Sequence, residues 1–235
     1  VEYKLLSEFR SLFHGIKYEH RKSNLGDHVA SFLYEDLFDL GRSAKLVMRV
    51  RDRTVAVNTA NVAVGKHARR GDGTFGEAIP GVATVALPGF LVPRGRIATI
   101  EIGAETKILA KAMIKQIDRV SSDLLRQVEH FRKSSPRSVC VGIVGINRAS
   151  QYLSFEGARE FLTDGKKHKH PIQEAVEAEK RLDRHVRGAF DEFIVLRYSA
   201  TNQAPFPFVW ADEAETKIEY AASLVRISAE YESRF

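Results

Sequence analysis

The segment between Leu109 and Ile146 limits the fold more than any other part of the chain. Leu109, Met113, Ile117, Val120, Leu124, Val128 and Phe131 recur at steps of three or four, which puts them on one stripe of a helix. Ser134, Ser135 and Pro136 end that helix, and residues 139–146 form an almost unbroken apolar run of strand length. Such a strand needs cover on both faces, and the stripe needs a surface to cover. A helix laid on a sheet satisfies both, so the expected class is α/β.

Further elements follow from the same periodicities. Leu5, Leu6, Phe9, Leu12 and Phe13 have helical spacing that stops before Gly15, and Val29, Phe32, Leu33, Leu37 and Leu40 mark a second helix over residues 26–40, stopped by Gly41. Residues 45–50 and 54–57 are rich in β-branched side chains and read as a hairpin turning at Arg51, Asp52 and Arg53. Residues 58–80 read as loop. Residues 96–107 alternate, with Glu101, Gly103, Glu105 and Lys107 on a charged face and Ala98, Ile100, Ile102 and Ala104 on a buried one. In the last third, residues 163–170 read as a basic loop, 172–186 as a charged helix and 192–198 as a strand. A final helix is expected from an Asp212–Glu215 cap to about Tyr231.

The chain of 235 residues fits one domain, and 44% hydrophobic with 28% charged residues is a globular composition. No apolar run reaches the ~18 residues of a membrane helix, and Glu2 and Glu8 interrupt the amphipathic N-terminus where a secretory signal would be uniformly apolar. A soluble cytoplasmic protein without a membrane partner is the expectation. The lone Cys140 sits in the apolar run and reads as a buried hydrophobe. A net charge of +6 favours polyanionic partners, and one basic cluster, Lys66 with Arg69 and Arg70, runs directly into Asp72.

Chemistry is concentrated at Glu105-Thr106-Lys107. Phosphodiester hydrolysis needs an activated water and neutralisation of charge on the phosphate, which a bound Mg²⁺ can supply. That ion takes few carboxylates and keeps several waters, so two acids from separate segments suffice, and Asp72 and Glu105 are the candidate pair. On an extended strand Lys107 lies ~7 Å from Glu105 on the same face, whereas Glu101 lies ~13 Å away and is only an auxiliary candidate. Two further Glu-x-Lys copies, at Glu2 and Glu215, fall on expected helices, where residues two apart diverge. Asp72-Gly73 by itself favours a tight turn, and the segment lacks the Lys-Ser/Thr ending of a phosphate-binding P-loop. Glu77 is a candidate additional ligand. Lys111, Lys115 and Arg119 lie on the polar side of the long helix, with Gln116 beside its stripe; such a face is usually solvated, and near a nuclease site it can track a phosphate backbone. His168 and His170 lie in a basic loop without partner acids, and no Gly-x-Ser-x-Gly or Cys-x-x-Cys motif is present.

With Gly71-Asp72-Gly73, the strand ending in Glu105-Thr106-Lys107 and the helix directly after it, the chain resembles the PD-(D/E)xK nuclease superfamily, which includes many restriction endonucleases. The resemblance covers residues 24–147, and Gly71 stands where the nominal motif has proline. It implies a restriction-endonuclease-like core of helix, three-stranded meander, helix and strand, a mixed central sheet flanked by helices, with extra N- and C-terminal helices. It implies Asp72 and Glu105 as metal ligands, Lys107 as the catalytic cation and Glu35 as a further acid beside the metal. The expected cofactor is Mg²⁺, with Mn²⁺ as substitute, and the expected substrate is DNA, in a restriction or phage-defence setting. A homodimer and a methyltransferase or other defence protein are the partners it suggests, with residues 148–235 as an extension for DNA recognition or dimer contacts. Two alternatives stand beside it. One is a non-catalytic nucleic-acid-binding or scaffold domain of the same fold. The other is a nuclease for RNA or for branched or single-stranded substrates, for which Tyr152, Phe155, Phe206, Phe208 and Trp210 are scattered stacking candidates.

Overall fold

The computed structural model describes residues 2–19, 25–59, 72–111, 113–156, 159–166 and 170–235. Three helices open the chain: α1 (Lys4–Ser11), α2 (Leu25–Leu40) and α3 (Ala44–Arg51). Strands β1 (Val55–Asn58), β2 (Gly73–Glu77), β3 (Arg94–Gly95) and β4 (Ile102–Leu109) follow, then α4 (Met113–Ser134) and β5 (Val139–Asn147). A hairpin, β6 (Tyr152–Glu156) with β7 (Arg159–Thr163), leads to α5 (Pro171–His185), β8 (Glu192–Ala200), β9 (Phe208–Trp210) and α6 (Glu213–Arg234).

The central sheet is mixed, in the order β3-β1-β2-β4-β5-β8-β9. β1, β2 and β4 are antiparallel neighbours, while β4, β5 and β8 run parallel. The α4 crossover between β4 and β5 lets the apolar stripe read from the sequence lie along the sheet: Met113, Ile117, Leu124 and Phe131 are buried. Side chains of β5 alternate between two cores. Val139, Val141 and Ile143 join α1, α2 and α6 on one face, and Cys140, Val144 and Ile146 join α4 and α5 on the other. All nine residues of β5 are buried, as its apolar run requires. Burial also pushes the Cys140 thiol pKa up, consistent with a packing role.

Four expectations are corrected. Residues 45–50 are helical, because Leu46 and Val50 are buried at i and i+4 and the Ser43 side chain caps α3 by accepting from Leu46 N. The strand expected over 96–107 begins only at Ile102 and continues to Leu109. Before it the chain runs beside β2 with a bulge, Ala98 N and Glu101 N donating to Glu77 O and Phe75 O, and the Thr99 carbonyl lies 1.9 Å from where a Cβ on Gly76 would sit, an approach only glycine permits. The expected loop over 58–80 contains β2, whose ladder with β4 overrides the turn preference of Asp72-Gly73. Finally, the last third is built into the same sheet rather than appended to it, since β8 pairs with β5 over residues 192–198 and α6 packs against it. The Asp212 cap on Glu215 N is present as read. Among the described residues, no helix is long and apolar enough to cross a membrane.

Candidate active site

The antiparallel register of β2 and β4 pairs Gly73 with Ala104, which brings Asp72, one residue before β2, level with Glu105. Backbone hydrogen bonds tie the two acids together. Asp72 N donates to Glu105 Oε2 at 3.4 Å, and Thr106 N donates to Asp72 Oδ2 at 2.9 Å. Asp72 also lies against the first turn of α2, where a Cβ on Gly26 would come within 2.6 Å of its Oδ2. Glycine there leaves room for the carboxylate, and the positive end of the helix macrodipole faces its charge.

Lys107 Nζ donates to Glu105 Oε1 at 2.5 Å. Glu105 is buried, and its pKa is pushed up to about 7, first by desolvation and then by the negative charge of Asp72, with Lys107 opposing both. For Lys107 burial alone would lower the pKa, yet Glu105, Asp72 and Asp123 together hold it above the ordinary lysine value. Asp72 and Glu105 bring carboxylate oxygens from two separate segments to one place, with Lys107 paired to Glu105. Mg²⁺ takes a small number of carboxylate oxygens and keeps several waters, so the residues present fit that ion. Among the described residues, no three His, Cys, Asp or Glu side chains gather as a metal cluster; the fit is to a two-carboxylate site completed by waters.

A cleft of about 460 Å³ opens beside the pair, lined by Glu105, Lys107, Asp123, Arg126, Gln127 and His130. The last four are on α4 and were missed in the sequence. α4 runs back antiparallel to β4, so its second half covers Glu105, with Phe131 directly over Gly103. Asp123, Gln127 and His130 stand at helical steps beside the apolar stripe, and that spacing was the available signal. The face of β4 expected to carry charge is roofed by a helix.

Other candidates are placed elsewhere. Glu35 is fully buried and accepts from Leu91 N, Val92 N and Arg94 Nη1, so it clamps the loop before β3. It is nine residues along α2 from Gly26, ~13 Å by helical rise, and belongs to no shared site with Asp72. Glu101 is held by both Arg49 guanidinium nitrogens and by Tyr231 Oη, a structural clamp between α3 and α6. Glu77 is exposed at the far end of β2, ~17 Å along the strand from Asp72. Gln116 does not line the cleft, and neither do Lys111, Lys115 or Arg119; the last two are exposed on the first half of α4. Lys66, Arg69 and Arg70 lie outside the described residues, as do His168 and Lys169.

Comparison with protein-family models, curated proteins and solved structures gave no match.

Proposed function

We propose that this chain is a Mg²⁺-dependent endonuclease that hydrolyses DNA phosphodiester bonds. The observation that carries the reading is the convergence of Asp72 and Glu105, from separate elements, at one sheet register with Lys107 on the second acid. Topology supports it. The helix α2, the antiparallel β1-β2-β4 meander, α4 and the parallel strand β5 follow the order of a restriction-endonuclease-like core, with Asp72 opening the second meander strand and Glu105 and Lys107 on the third.

Bound Mg²⁺ supplies charge neutralisation at the phosphate and a more acidic water. Asp72 and Glu105 would hold it, and the hydrogen bond from Thr106 N fixes the Asp72 carboxylate. Lys107 has three donors, of which Glu105 takes one, leaving others to meet a phosphate oxygen or orient the attacking water. Burial of Glu105 in a roofed cleft strengthens each of these interactions relative to water.

The test is incubation of purified protein with supercoiled plasmid and Mg²⁺, with EDTA, Lys107→Ala and Glu105→Gln as controls. Nicking or linearisation that EDTA and both substitutions abolish is expected. No cleavage with Mg²⁺ or Mn²⁺, or cleavage unchanged in both variants, would defeat the proposal.

A further inference from the structure

The α4 wall of the cleft contains donors without a partner among the described residues. Gln127 is 8% exposed, and its Nε2 is buried with no hydrogen-bond partner there. One turn on, His130 Nε2 is in the same condition. A buried amide NH₂ left unpaired carries the full cost of its desolvation, so an orphan in a cleft wall calls for a missing acceptor. The remaining lining residues narrow its chemistry. Arg126, also in the lining, is exposed with no ion pair among the described residues, and Lys107 lines the cleft from β4. Glu105 is paired with Lys107, and Asp123 is the other acid of the lining. An amide, a guanidinium, an ammonium and an imidazole on residues that line one cleft, two of them with unused nitrogens just behind its surface, suit an anion with several oxygens.

We infer that Arg126, Gln127 and His130 form a phosphate pocket on α4, separate from the metal-holding carboxylates, which grips a second phosphate of the nucleic acid. The cleft, at about 460 Å³, has room for a phosphate and part of its sugar. Gln127 and His130 turn their buried nitrogens toward the cleft to meet the phosphate oxygens, and Arg126 closes over them from the rim. The pocket deepens the nuclease reading and rests on it for the nucleic-acid source of the phosphate; its anion chemistry rests on the orphaned donors. Two sources share that chemistry, an internal phosphodiester next to the one being cut and a terminal phosphomonoester.

The experiment uses the full chain in EDTA, so that no divalent ion contributes, and titrates inorganic phosphate while following the Gln127 side-chain amide and the His130 ring by NMR. A saturable shift of both is expected, and Gln127→Met, which keeps the volume, removes the donor and is followed through His130, weakens binding about tenfold. Arg126→Ala changes an exposed side chain, so it tests the same pocket even if the Gln127 variant fails to fold. A short oligonucleotide is then used to displace phosphate. Equal displacement by its 5′-hydroxyl and 5′-phosphate forms assigns an internal phosphodiester, and displacement by the phosphorylated form alone assigns a strand end. No saturable shift, a shift indifferent to both substitutions, or displacement by neither oligonucleotide overturns the pocket. Because the titration needs no cleavage, phosphate binding by a protein that cuts nothing would sink the nuclease reading and leave the pocket standing.

Discussion

Glu101 and Glu105 are four residues apart, both buried and both beside a cation, yet their surroundings are opposite in kind. Three donors converge on Glu101, two from Arg49 and one from Tyr231. Glu105 has Lys107 and a long contact from Asp72 N, and burial, then the charge of Asp72, push its pKa up to about 7. The lesson is that burial of an acid does not identify a functional site. A carboxylate whose partners leave it frustrated does, because fold stability alone would not select that arrangement.

The largest effect expected from this contrast is on stability. Glu101→Gln removes one charge of a buried pair and leaves Arg49 uncompensated, which costs about 3–5 kcal/mol. Urea unfolding measures it, and cleavage per folded molecule stays unchanged. A loss under ~1 kcal/mol, within the range of a surface ion pair, would remove the structural half of the comparison.

Next comes Lys107→Ala, where the effect moves from stability to chemistry. In the proposed nuclease, losing this cation lowers the cleavage rate by roughly 10²–10³, while the fold is barely affected because Glu105 can take up a proton instead. Single-turnover cleavage and a thermal melt on the same preparation decide it. A variant that melts early and cuts normally would make Lys107 the structural residue.

How much of this was legible in the sequence depended on whether one helix or strand, or the contact between two, carried the information. α4 and β5 could be read because each carries its pattern alone, an apolar stripe and an unbroken apolar run. Glu105 and Lys107 could be read because they share a strand. α3 could not, since Leu46, Val47, Met48 and Val50 suit either period and the deciding contacts, Ser43 with Glu232 and Arg49 with Glu101, are distant in sequence. Glu35 fails for the same reason: its partner loop is more than fifty residues away. Gln127 and His130 were hidden by the reversal of direction between β4 and α4, which brings the far half of the helix over the strand.

A third prediction concerns pH. Glu105 titrates at about 7 in the folded chain against an ordinary 4.5, so its contribution to stability is fully present below about pH 4.5 and is lost as pH rises through 7. The metal-free protein therefore loses on the order of 2–3 kcal/mol from this group between about pH 5 and about pH 8. In Glu105→Gln that loss is absent, so the variant equals or exceeds the parent in stability at the higher pH while failing to cut. Identical pH profiles for the two proteins would place Glu105 with Glu101.

The smallest effect is the sharpest test of what Glu105 is for. A proton and a divalent cation compete for the same carboxylate, so lowering the pH by one unit below about 7 weakens apparent Mg²⁺ affinity by about tenfold. Calorimetric titration with Mg²⁺ at two pH values measures the slope and the protons released. Above pH 7 the slope flattens, because Glu105 is already ionised and Lys107, held above its ordinary pKa, remains charged. Glu101→Gln keeps this slope, since its partners lie between α3 and α6, whereas Lys107→Ala shifts the bend to higher pH by removing the cation that opposes protonation of Glu105. A pH-independent affinity would mean that Mg²⁺ binds without Glu105, and the distinction between the two acids would then rest on something other than metal.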